Sequence, residues 1–468
     1  MRRFILSLGL ISSFFLAACS DSGKDISPTS STPPLGDINP SGTGALPGSS
    51  DDTSAETGTD PLASDNPSTV EIDPDAGDLP TDQTPVVLDT EIPLDDTDLP
   101  ADLGDVPTDN VPIPSGATLP TTWGSGEPLF GSAFTVDTFP TNQIVSGGPG
   151  KDGIPALNNP PFVAASGAAN WLNENDLVLG VVSNGVAKAY PHNIGWWHEI
   201  VNDVVGDQAV CVTFCPLTGT GLVYDATDED GSQFQLGVSG LLYNNNLIMY
   251  DRRDGTTLYP QIFSTAVSGP RIREPLTLMP VVETTWATWK ALYPDTQVIA
   301  DGTYSSNQYT SYPYSDYRTN NGFLLFNLNP SLSENINPYA NTFGAKDGML
   351  GVRLDGHARA YLFDTLDNQA AINDQVGGVD IVVVWDRFNS LAIPYASQVG
   401  DQILTFEIDD SADFSFNLVD QQTGSTWNVK GEAIDGPLAG TRLTQVPAHN
   451  SFWFAWVTFW RDTDVWKI

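Results

Sequence analysis

One pattern constrains this chain before anything else: a long part of it occurs twice. Leu179-Gly180-Val181 followed by Gly185-Val186-Ala187-Lys188-Ala189-Tyr190 recurs as Leu350-Gly351-Val352 followed by Gly356-His357-Ala358-Arg359-Ala360-Tyr361, at a constant shift of 171. The same shift carries Asn202-Asp203 onto Asn373-Asp374 and Gly206 onto Gly377. With small gaps, Asp251, Gly255 and Thr257 meet Asp420, Gly424 and Thr426, and Gly269-Pro270 meets Gly436-Pro437. Trp286, Trp289, Asp295, Thr296 and Val298 then match Trp453, Trp456, Asp462, Thr463 and Val465. A repeat of this length predicts two tandem copies of one supersecondary unit, packed about a pseudo-two-fold axis.

Within each copy the hydrophobic period is mostly two. Residues 210–215, 221–224, 246–250 and 381–385 are short β-branched or aromatic runs bounded by turn residues, and they predict strands. Helical spacing is confined mainly to 284–293 and 451–460, one helix for each copy. The expected class is α+β, mainly β.

The repeats occupy only the C-terminal part of the 468 residues. Residues 1–18 read as a secretory signal: Arg2 and Arg3, an apolar run from Phe4, then Leu16-Ala17-Ala18 before Cys19. The apolar run is too short to span a hydrocarbon core of about 30 Å. It resembles a bacterial lipoprotein signal, which implies acylation of Cys19, and Ser20 in the next place implies passage to the outer membrane, facing the periplasm or the cell surface. Residues 19–122 are rich in Ser, Thr, Pro and Asp, with acidic residues far outnumbering Lys24, so they predict a disordered spacer. The rival for this stretch is an acidic ligand-binding arm. The first repeat is assigned to 123–300, a Tyr/Asn/Ser-rich connecting loop to 301–346, and the second repeat to 347–468. In the loop, tyrosine rings are expected to pack on a sheet, with a sugar or peptide platform as the alternative. Gly147-Gly148-Pro149-Gly150 reads as linker, since Pro interrupts any phosphate-binding loop.

Nineteen Lys+Arg against 58 Asp+Glu, a formal charge of −39, exclude nucleic acid as a partner. The chemical inventory is short: besides Cys19 there are Cys211 and Cys215, and four histidines, His192, His198, His357 and His449. On one strand Cys211 and Cys215 share a face, but their Cα atoms stand about 13 Å apart, too far for a disulfide. In the repeat alignment Cys211 falls on Val382, a core position, whereas Cys215 falls on Asp386. A place that takes thiol in one copy and carboxylate in the other is not plain core. His198 falls on Gln369 and His192 on Phe363, which concentrates any chemistry in the first copy. His449 precedes the second helix and reads as a local hydrogen-bond donor, and His357 as an exposed strand residue.

Asp152-Gly153-Ile154-Pro155-Ala156, His198-Glu199-Ile200-Val201-Asn202-Asp203, Val212-Thr213-Phe214-Cys215-Pro216-Leu217, Ser239-Gly240-Leu241-Leu242-Tyr243-Asn244 and Met249-Tyr250-Asp251-Arg252 resemble the bacterial and archaeal family called domain of unknown function 3179. The resemblance runs from Lys151 to the C-terminus and includes Tyr309-Thr310-Ser311-Tyr312-Pro313-Tyr314 and Phe452-Trp453-Phe454-Ala455-Trp456. It implies no activity. The family carries a second Cys where this chain has Thr218, so a Cys-x-x-Cys function does not transfer.

Three readings of the site compete. Cys215 is a nucleophile with His198 as proton partner, and Ser239, Asp251 and Gln261 form the polar wall. Alternatively His192, His198 and Cys215 bind Zn²⁺ or copper with a carboxylate. In the third, thiol and imidazole are satisfied core groups, and the working surface is a cleft between the copies, lined by Trp and Tyr, for a small molecule, a glycan or a protein. The third is preferred: a membrane-anchored binding module.

Overall fold

The computed structural model describes residues 135–300, 306–410 and 414–467. The signal, Cys19, the spacer and the first residues of the connecting loop, 301–305, lie outside the described residues.

Alternating side chains and two-residue turns build the fold from antiparallel hairpins. Strand Leu177–Ser183 pairs with Val186–Pro191 across Asn184-Gly185, both at positive φ (48° and 76°), the backbone that a tight hairpin turn requires. Val282–Thr285 adds to one edge, and Gln297–Ile299 adds in parallel to the other, Gln297 opposite Lys188. A second sheet runs Ile200–Val205, Gln208–Cys215, Thr220–Asp225, and a third joins Leu236–Tyr243 to Asn246–Asp251. In the C-terminal half Gly348–Leu354 pairs with His357–Leu362, Ala448–Phe452 adds to one edge, and Asp464–Val465 adds in parallel to the other. Gln369–Val376, Val379–Asp386 and Leu391–Ala396 follow as a meander, then a sheet from Phe406–Asp409 to Ala433–Asp435. The protein is mainly β, with short helices.

The expected helices appear as Trp286–Leu292 and Trp453–Phe459. Each lies across a glycine of its sheet: a Cβ on Gly180 would stand 2.2 Å from the Trp289 ring, and one on Gly351 2.2 Å from the Trp456 ring. Their buried indoles donate to Thr296 (2.7 Å) and Thr463 (2.9 Å). The N-terminal half holds a further helix, His192–His198, where the other half has only the short turn Phe363–Thr365. It was not legible from periodicity: it is seven residues with Gly195 inside, and that glycine is needed because a Cβ there would lie 2.8 Å from Phe214. Packing on the Cys215 strand, rather than propensity, makes the helix.

Cores form reciprocally between the halves. Val178, Trp289 and Val298 of the N-terminal half share one core with Val384, Tyr395 and Trp427 of the C-terminal half. Conversely Met349, Trp456 and Val465 share another with Tyr243, Ile248 and Phe263. Gly147-Gly148-Pro149-Gly150, expected as linker, is tied to the third sheet: Val145–Ser146 just before it pairs with Leu241–Leu242, Gly147 N donates to Gly240 O (2.8 Å), and Gly240 (φ 74°) leaves room for the Gly150 backbone, which a Cβ would strike at 2.4 Å.

Candidate functional site

The strand Gln208–Cys215 divides the chemistry because alternate residues face opposite layers. Val210, Val212 and Phe214 join the core of Leu179, Tyr190 and Ile194. Cys211 and Cys215, both free thiols, join that of Leu236, Leu247 and Met249.

Cys215 is sealed. Its sulfur accepts from Leu247 N (3.4 Å) and donates to Asn245 O (3.4 Å). Burial, reinforced by the nearby Glu199 carboxyl, pushes the thiol up to about 11. Asn246 donates to Thr218 Oγ (3.2 Å) and to Gln261 Oε1 (2.9 Å), while Gln261 donates to Thr213 Oγ (2.8 Å) and Thr220 O (3.1 Å). Gln261 and Thr218 thus belong to one satisfied amide network under the thiol. The tyrosine loop closes the other side: Tyr312, Tyr314 and Tyr317 pack on the core that holds Cys215, and Tyr312 donates to Pro216 O (3.2 Å). Two asparagines at a positive-φ turn fasten this loop, Asn244 exchanging hydrogen bonds with the Asn329 backbone and Asn245 with that of Phe326.

The other expected partners have polar contacts of their own. His198 contacts Pro155 O through Nδ1 (2.8 Å) and the Tyr309 hydroxyl through Nε2 (3.0 Å), and burial lowers its pKa. Ser239 donates to Ile248 O (2.5 Å) at a β-bulge. Asp251 is fully buried and gripped by Arg253, with Nη2 at 2.6 Å; it lies four strand residues, about 13 Å, beyond Leu247. The structure therefore places Asp251 away from the thiol. The metal set fails on the same geometry: His192 stacks on Phe214, 4.1 Å between ring centroids, on the opposite face of the strand from Cys215. Among the described residues no group of three or more His, Cys, Asp and Glu side chains is placed to hold a metal ion. His449 lies buried against Trp456, and His357 is an exposed strand residue.

Glu199, which sequence reasoning passed over, caps the His192–His198 helix at φ 56°, ψ −33°, a conformation that costs a side-chain-bearing residue about 1–3 kcal/mol. Its carboxyl is buried and pushed up to about 8 by desolvation. No sequence signal marks it, since the carboxylate is ordinary until the tyrosine loop covers it.

Beside this sealed centre a cleft of about 200 Å³ opens, with Pro216 in its wall. His192, Trp196, Glu283, Tyr312, Arg318 and Phe452 line it, so both halves of the chain contribute. His192 Nε2 and Glu283 Oε2 lie 3.7 Å apart, are buried, and have no hydrogen-bond partner among the described residues. Burial, then the Arg318 charge, lowers His192 to about 3; burial raises Glu283 to about 7 against a hydrogen bond from Asn450. Near pH 6 the pair is therefore two largely neutral groups in contact rather than an ion pair. Arg318 stands over the rings of Trp196 (5.4 Å) and Tyr312 (4.9 Å).

A search of the curated proteins and of the solved structures finds no match. The family model described as "Protein of unknown function (DUF3179)" matches residues 151–463, a span that holds both the sealed thiol and the cleft, and the chain belongs to that family.

Proposed function

We propose that the protein is an exported, lipid-anchored binding module that takes a small polar ligand in the cleft between its two halves. The observation that carries this reading is the unpartnered pair His192 Nε2 and Glu283 Oε2, buried at the cleft. Leaving a buried polar group unsatisfied costs about 1–3 kcal/mol, and a ligand that satisfies both recovers that cost. Aromatic walls with a few convergent polar groups are what small-molecule sites are made of. The sealed Cys215 then serves as floor. A thermal-shift panel of neutral sugars, sugar acids, hydroxy acids and amino acids tests the reading. At least one compound stabilises the parent and not His192→Phe, since a ligand at a hundred times its Kd adds about 2.7 kcal/mol. A panel that stabilises neither protein contradicts it.

The halves are two copies of one unit about a pseudo-two-fold axis. Supporting this are the two indole–threonine bonds over glycine, the parallel edge strands, and the exchange of cores between halves. Glu283 and Asn450, which hydrogen-bond each other, stand at matching places: Glu283 pairs with Leu179, and Asn450 with Leu350. The cleft thus opens where the copies meet, and only one copy supplies a histidine there. Anchorage at Cys19 to the outer membrane is supported by the signal alone. Labelled palmitate entering the parent but not Cys19→Ser tests it.

A further inference from the structure

Arg318 is an exposed guanidinium in an acidic protein, yet no carboxylate among the described residues pairs with it. Most of its kind are taken: Arg253 and Arg271 engage Asp251 and Glu274, Arg359 engages Asp374, and Arg442 engages Glu432. Stacking on Trp196 and Tyr312 holds Arg318 at the cleft, so its fork of donors is held ready without an acceptor among the described residues.

Resting on the reading that the cleft binds a ligand, we propose that the ligand is a small polyhydroxy carboxylate of the sugar-acid class. Its carboxylate lies on Arg318 and one hydroxyl lies between His192 Nε2 and Glu283 Oε2. The geometry selects each part. A planar carboxylate matches the donor fork of a single guanidinium. A hydroxyl donates and accepts at once, so it satisfies a neutral imidazole nitrogen and a carboxyl oxygen together, whichever imidazole tautomer is present. An ammonium only donates and a carbonyl only accepts, so each satisfies the pair in only some of its tautomers and protonation states. A cleft of about 200 Å³, about seven waters at ~30 Å³ each, has room for a single sugar ring. Trp196, Tyr312 and Phe452 supply flat apolar surface for the C–H face of such a ring.

Calorimetric titration of the full chain with D-glucuronate and with D-glucose tests this. The expected result is glucuronate binding at least tenfold tighter than glucose. Arg318→Ala removes that preference, bringing glucuronate to the affinity of glucose in the same variant, and His192→Phe weakens both. Arg318 is exposed, so its variant keeps the fold, and a circular-dichroism melt checks this. Equal binding of the two sugars, or glucuronate binding untouched in Arg318→Ala, overturns the sugar-acid assignment while the cleft reading stands. Failure of both sugars overturns the assignment as well. In that case a compound from the thermal-shift panel that depends on His192 keeps the cleft reading, and its lack removes both.

Discussion

At the residue scale, burial decides what each titratable group does. A thiol raised to about 11 is only about one part in a thousand thiolate at pH 8, and Cys215 is covered as well. Native protein is therefore expected to resist iodoacetamide at Cys215 for hours at pH 8, with rapid labelling only after unfolding in guanidinium; fast native labelling would contradict the seal. Glu199 titrates near 4.5 when unfolded and about 8 when folded, so between these values the folded state holds a proton that the unfolded chain has released. Its contribution to stability is thus fully present below pH 4.5 and is lost as pH rises through 8. Glu199→Gln should gain on the parent by on the order of a few kcal/mol between pH 5 and pH 9, read from urea midpoints; a constant difference contradicts the buried neutral carboxyl. His192 carries the opposite sign, lowered to about 3 and costing stability as pH falls below 6.5. Sequence made Cys215 and His192 visible because they break the repeat. Grouping Cys215 with His198, Ser239 and Asp251 by motif carries no information about which face or end of a strand a side chain occupies, and Asp251 stands four strand residues beyond Leu247, whose N–H meets the thiol.

At the element scale, the strands were legible as short β-branched and aromatic runs between turn residues, and the two tryptophan helices by aromatic and apolar residues spaced three or four apart. Aromatic residues three apart over a glycine-bearing strand were the strongest signal, and the glycine is its complement. Gly351→Ala forces Trp456 out of place and should destabilise by about 1–3 kcal/mol in chemical denaturation, with Gly180→Ala doing the same under Trp289; a neutral effect at both contradicts the close approach. The register near the third sheet differs from the sequence alignment by one place: Gly269 packs on Thr257 and Gly436 on Ser425, so Thr257 answers to Ser425 and not to Thr426. Sequence identity at Thr426 hid that slip. The His192–His198 helix and the strand at 145–146 were hidden for another reason, since each exists only through partners distant in the chain.

At the scale of the whole molecule, the two halves complete each other's cores, so the boundary drawn at residues 301–346 divides sequence but not stability. Residues 123–300 and 347–468 expressed apart should each remain unfolded by circular dichroism, whereas co-expression should restore a folded complex; an independently folded half contradicts the interlocked packing. The same interlocking puts Phe452 and Asn450 beside His192 and Glu283, and it makes the cleft a property of the pair of halves. The most direct test of that cleft as the ligand site is a crystal of the protein soaked in D-glucuronate. The account predicts density in the cleft, with a single oxygen within hydrogen-bond reach of both His192 Nε2 and Glu283 Oε2. Ordered water alone at that place, with the sugar acid bound elsewhere, would contradict it.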